Sequence, residues 1–177
     1  MRRGEVNAKL AVPFVGELSG TWLPDDSERQ AAWELYVELV TRVAVIALGP
    51  NDGLLREAVD SLHKLFGTTR EVLRRHGPGI APRTEQQRLS VAYMAVAVLN
   101  GWLRPFLSVW HPRLSSYEAE RPTGVSVESW EAAWEHGREM RHEIMVVQTG
   151  LRQYARQLEL IADVISLFPD EAPGIPR

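Results

Sequence analysis

Cysteine is absent from the chain, and lysine is nearly so. Without a thiol there is no disulfide, no thiolate nucleophile and no cysteine-held metal, and the absence fits a cytoplasmic location. Two lysines, Lys9 and Lys64, stand against 18 arginines, a skew that reads as a GC-rich genome rather than as chemistry. No apolar stretch of about 7–15 residues follows Arg2 and Arg3, so the start is a poor signal peptide. No G-x-S-x-G elbow, P-loop or dinucleotide fingerprint occurs. Repeats and low-complexity segments are missing as well. Nor is charge of one sign in large excess. The net charge is −3 and the isoelectric point about 6.0, which argues against a nucleic-acid or membrane-surface binder.

What is present is an ordinary globular mixture. The chain has 177 residues, 45% hydrophobic and 24% charged, the size and composition of one domain. Charge is uneven along it. Residues 1–49 carry −2, residues 50–125 carry +3 and residues 126–177 carry −4. The middle and C-terminal segments should therefore attract, within one fold or across a dimer.

Residues 1–24 read as an irregular N-terminal arm. "KLAVPFV" has the look of a short edge strand, but Pro13 removes a ladder donor. A first helix starts at Asp25–Ser27, behind Pro24, and runs to about Leu48. Its polar residues Glu34, Glu38, Thr41 and Arg42 form one narrow stripe on an otherwise apolar girth. A second helix covers about 52–76, with Leu55, Val59, Leu62, Phe66 and Leu73 on one face and charge on the other. Arg70, Arg74, Arg75 and His76 crowd its end. They read as cations at a helix C-terminus, with an anion site as the functional alternative. A third helix is expected as two pieces, 84–103 and 105–120, because Pro105 lacks the N–H that would reach residue 101. A fourth runs from about Ser126 to Leu167, with Trp130, Trp134, Gly137, Ile144, Leu151, Leu158 and Ile165 in a near-heptad row. Its roughly 38 residues span about 57 Å, so it overhangs the domain, bends or meets a second subunit. The expected fold is all-α. Residues 25–167 form one domain, an irregular up-down four-helix bundle with a proline-broken third helix and a long fourth helix. Residues 168–177 make a flexible C-terminal tail.

Residues 89–110, "LSVAYMAVAVLNGWLRPFLSVW", carry one charge, Arg104. The run is long enough to span a bilayer, and Arg104 would cost about 2.5–3.5 kcal/mol near a span's centre. Asn100, Gly101 and Pro105 crowd one end, however, and no second span exists. The central helix of a bundle is apolar all round, and that explains the run better than membrane association does. A di-iron site is tested by "DSLH" (Asp60–His63), "EMRH" (Glu139–His142) and the pair Glu34 and Glu38. It fails on phase, since Glu139 and His142 lie off the apolar seam. It also fails because no acid stands between Glu85 and Glu118. No metal and no cofactor are implied.

Asn100, Trp102, Arg104, Trp110 and His111 remain. Asn100 and Arg104 are four apart and share a helix face. In the structural reading they satisfy carbonyls freed near Gly101, and Arg104 pairs with Glu34 or Glu38. In the functional reading Arg104 is an anion hook, the tryptophans are walls and His111 closes the end. Tryptophan and arginine also anchor interfaces, which points to Trp33, Tyr36, Val40, Trp130 and Trp134 as interface candidates. The strings "AAWELYVELVTRVAV", "LREAVDSLHKLFGTTREVLRRHGP" and "VAVLNGWLRPFLSVWHPRL" resemble a group of small all-helical proteins of high-GC, actinomycete-like bacteria. The resemblance spans about residues 17–165. It implies a helical module accessory to a larger multi-protein system, and carries over no activity and no site residue. The leading functional reading is a non-enzymatic interaction or accessory module acting through helix association, with another protein or with itself as a homodimer. The alternatives are a small-molecule, anion-binding or enzymatic pocket between helices centred on Arg104, and membrane association through residues 89–110.

Overall fold

A computed structural model describes residues 4–42, 53–81 and 89–168. The described chain is mostly helical, with one small antiparallel sheet. The arm expected to be irregular is a β-hairpin. Strand β1 (Val6–Val12) pairs with β2 (Gly16–Trp22), Val6 opposite Trp22 and Val12 opposite Gly16. Val6, Ala8, Leu10 and Val12 alternate inward and lie against the last long helix, the period-two pattern of a half-buried strand. Pro13 sits in the turn, where its missing N–H takes nothing from the ladder. Phe14 (φ 63°) and Gly16 (φ 99°) supply the left-handed backbone that closes the turn.

Helix α1 (Asp26–Val40) is capped by Asp25, whose carboxylate accepts the Glu28 amide at 2.8 Å. Ala31, Ala32, Leu35, Tyr36, Leu39 and Val40 are buried. Most of the continuation expected to Leu48 lies outside the described residues. Helix α2 (Leu55–His76) follows the expected pattern closely, burying Leu55, Val59, Leu62, Leu65 and Val72. It ends on Gly77 (φ 66°), whose N–H returns to the Leu73 carbonyl, before a short 3₁₀ turn, Gly77–Ile80.

The third helical stretch is not broken by proline. Helix α3 (Val91–Val98), capped by Ser90, passes through a π turn at Leu99–Leu103 into α4 (Arg104–Ala119). The Arg104 N–H bonds the Leu99 carbonyl five residues back. Pro105 could not have donated to residue 101 in any case. A widened turn just before it keeps the axis running, and Pro112 is carried inside α4 as well. Gly101 is required here, because a Cβ would lie 2.6 Å from the Pro13 carbonyl oxygen at the hairpin tip. The apolar run is explained by burial within the protein, with Val91, Met94, Val98, Leu103, Phe106 and Trp110 all in the core. Among the described residues no helix is long and apolar enough to cross a membrane.

The long fourth helix is two helices, α5 (Val127–Ala132) and α6 (Gly137–Ala162). Short i→i−3 bonds from Ala133 and Trp134 close α5. The chain turns there because Trp134 folds inward, stacking on Tyr117 at 5.3 Å and meeting Trp110 edge-on at 6.3 Å. The 26 residues of α6 span about 39 Å, so the overhang that pointed to a second subunit is absent. Helix α6 buries Ile144, Leu151 and Leu158 and lies along α1 and β1, leaving Ile165 of the expected row in solvent. The start of the expected flexible tail is part of the core. Phe168 is fully buried, edge-on to Tyr36 at 6.2 Å, with the Arg152 and Arg156 guanidinium groups 4.7 and 4.8 Å from its ring. Residues 169–177 lie outside the described residues.

Candidate functional site

The buried face of α2 sets the direction of its opposite face. With Leu55, Val59, Leu62 and Leu65 turned inward, His63, Gly67, Arg70 and Arg74 fall in one row toward solvent, with Lys64 beside them. At the edge of that row the half-buried ring of Phe66 packs on the core. The π turn lies against α2, and this brings Arg104 to Phe66 although 38 positions separate them in sequence. The Arg70 and Arg104 guanidinium carbons stand 5.6 and 5.9 Å from the Phe66 ring centre, close enough for a cation–π attraction of about 0.5–1 kcal/mol at an exposed position. Asn100 orients Arg104 by accepting its Nε–H at 3.0 Å. One turn back along α2 and two turns on along α4, the His63 and His111 rings lie 5.8 Å apart.

This face is cationic because its charges are not cancelled locally. Among the described residues Lys64, Arg70 and Arg104 have no carboxylate partner. The pairing of Arg104 with Glu34 or Glu38 does not occur. Glu34 is taken by Arg75 and His76, and Glu38 by Arg42. An open groove of about 510 Å³ lies beside Gly67, bordered by Arg42, Lys64, Thr68, Arg70 and Glu71. Gly67 itself is exposed in mid-helix, and a Cβ there would meet nothing within 4 Å among the described residues. Such a glycine costs roughly 1 kcal/mol relative to alanine.

The expected tryptophan walls are elsewhere. Trp102 lies over Gly150 of α6, where the ring fills the space a Cβ would need, and its buried Nε1 has no hydrogen-bond partner. Trp110 is buried against Trp134. The aromatic beside Arg104 is Phe66, assigned from its spacing to the core face. Its sequence signal was the four-residue step to Arg70; its nearness to Arg104 had none. Of the interface candidates, Tyr36, Val40 and Trp134 are spent inside the chain's own core. Tyr36 donates to Glu159 at 3.0 Å and accepts the Leu167 amide at 2.7 Å. Trp130 stacks on Tyr117 at 4.7 Å, and the two rings bond each other's carbonyls. Trp33 alone among them is exposed, at 41%.

One further constellation has the outline of a catalytic triad. Ser27 Oγ lies 3.5 Å from His76 Nδ1, and His76 Nε2 lies 3.0 Å from Glu34. The contact to Ser27 is at the outer limit of a hydrogen bond. The amide after Ser27, which would steady an oxyanion, is already bonded to Asp25. Asp25 and Asp26 would also oppose negative charge at that point. These residues tie the end of α2 to the start of α1. Among the described residues no group of three His, Asp or Glu side chains is placed to hold a metal. The face around Phe66 can hold and orient anionic groups, and it sets no nucleophile beside a base. No protein-family model, curated protein or solved structure matches the chain.

Proposed function

We propose that this protein is a non-enzymatic interaction module that docks an acidic partner protein on the face shared by α2 and the π turn. The observation that carries the reading is the convergence of Arg70 and Arg104 on Phe66 without a carboxylate to neutralise either. Exposed arginines of this kind, set around an aromatic ring on rigid helices, suit recognition of carboxylates by charge-assisted hydrogen bonds. Asn100 holds Arg104 in place before a partner arrives. Helix association supplies the contact area and the arginines supply orientation and specificity. A second reading, a free small anion held by Arg104, draws on the same pair; the openness of the groove beside Gly67 favours the larger partner.

The test is affinity capture from the native host with the wild-type chain and with the double variant Arg70→Glu, Arg104→Glu. Both side chains are exposed or at the rim, so the variant should melt within about 1 kcal/mol of the wild type. It should lose at least tenfold of the captured partner. If Arg104→Ala instead destabilises the fold while capture is unchanged, Arg104 is structural and this reading fails.

A further inference from the structure

Several glycines of this fold have a visible reason, and the mid-helix glycine of α2 does not. A Cβ at Gly20 would press on Leu89, at Gly101 on the hairpin tip, and at Gly150 on Trp102. Gly77 needs its positive φ. Gly67 has neither reason. It sits in the middle of α2, in right-handed helical geometry, with open space where its Cβ would be. Mid-helix glycine is unfavourable for the helix, and nothing among the described residues accounts for it. Small residues on an exposed helix face let another backbone come close, and Gly67 forms a low point in the groove between Lys64 and Arg70.

The rim of that low point says what could enter. Lys64 and Arg70 border it with no carboxylate partner among the described residues, against one acid, Glu71, and Arg104 stands across the Phe66 ring, so the occupant is acidic on balance. Helix α6 presents such a surface at the other end of the charge asymmetry. Glu139, Glu143 and Val146 are exposed at spacings of four and three, on one helix face. Met145 and Val146 are 52% and 43% exposed beside them. That face sets acids beside apolar contact, with Glu139 also 3.4 Å from His136 and with Arg138 and His142 exposed next to it. The middle segment carries +3 and the C-terminal segment −4.

Resting on the reading of the α2 face as a docking face, we infer that its occupant is the α6 face of a second copy of this chain, seated over Gly67. Glu139 and Glu143 meet the arginines, and Val146 approaches Gly67. Each copy carries both faces, so the contact can be made twice in a closed pair.

Sedimentation velocity on the full chain tests this. The wild type should self-associate at low ionic strength and dissociate at least tenfold more readily in 0.5 M NaCl, where the Debye length is about 4 Å against about 30 Å at 0.01 M. Gly67→Ala should raise Tm by about 2 °C and weaken self-association at least tenfold. Arg70→Glu with Arg104→Glu, and separately Glu139→Arg with Glu143→Arg, should each be monomeric, and mixing the two reversed variants should restore association. Gly67→Ala that raises Tm and leaves association unchanged overturns the inference. So does a wild type that is monomeric at every salt concentration. In that case, host capture that still depends on Arg70 and Arg104 leaves the docking function standing with a different acidic partner. Capture independent of both arginines removes the function as well.

Discussion

Glu28 lies in the first turn of α1 with 3% of its surface exposed, next to Arg29 at 6%. The two do not pair. Arg29 reaches across to the Ile161 carbonyl at 3.0 Å, near the end of α6, where a cation suits the helix C-terminus. Glu28 accepts the Trp22 indole N–H at 3.2 Å. Burial pushes its carboxyl above the ordinary carboxylate range, and the indole hydrogen bond pulls it partly back. The folded protein therefore holds this proton more tightly than the unfolded chain. Its contribution to stability is complete below the ordinary carboxylate value and is lost as pH rises through the elevated one. Glu28→Gln keeps an acceptor for Trp22 and removes the ionised form. It should raise Tm by about 2–4 °C at pH 8, equivalent to about 1 kcal/mol, with the difference vanishing near pH 4. Thermal melts across that range check it, and a difference independent of pH would contradict the assignment.

At the scale of elements, α2 begins without a cap of its own. Leu54 offers no side-chain oxygen, and the Leu55 amide is satisfied from α5, by the Glu131 carboxylate at 2.8 Å. The other Glu131 oxygen receives Arg141 of α6 at 2.8 Å, and Arg141 also bonds the Gly53 carbonyl at 3.1 Å. One buried acid thus joins the end of α5 to the first turns of α2 and α6. Burial raises its pKa, and the Leu55 amide and Arg141 oppose that shift. Glu131→Ala would leave the Leu55 amide without this acceptor and take the buried carboxylate away from Arg141. A loss of about 2–3 kcal/mol is expected by urea denaturation. Glu131→Gln, which still accepts from Leu55, should lose less than half as much. Equal losses would show that charge rather than capping dominates.

For the molecule as a whole, the closing contact is made by its last described residues. After α6 ends at Asp163 in left-handed geometry (φ 59°), the chain turns back and inserts Phe168 between Tyr36 and two arginines. Tyr36 links this segment to α6 by donating to Glu159 and accepting from Leu167. Phe168→Ala should cost about 3–5 kcal/mol, in the range for a fully buried phenylalanine. It should also speed amide exchange at Leu167 before it affects α2. Unchanged stability would mean that the chain end only rests on the surface.

Helix α2 was legible in the sequence almost to its ends, because its buried and exposed faces follow from a local period. The cap residues Asp25 and Ser126 are local for the same reason. The hairpin carried its own signal in Val6, Ala8, Leu10 and Val12. Pro13 obscured it because the sequence does not tell whether that proline lies in a ladder or in a turn. Pro105 raised the expectation of a break, and packing of the hairpin tip on Gly101 accompanies a π turn instead. Trp134 continued a heptad row on paper, and the aromatic cluster with Tyr117 and Trp110 turned it inward. At the candidate site, Asn100 and Arg104 are four residues apart, so their hydrogen bond could be anticipated. Phe66 beside Arg104 could not. By itself the sequence determined a mostly helical chain, the two faces of α2 and the absence of thiol chemistry, since these depend on composition and on residues within a few positions of one another. Only the tertiary structure decided which aromatic ring meets Arg104 and which acids are already taken, since these depend on how helices distant in sequence pack side by side.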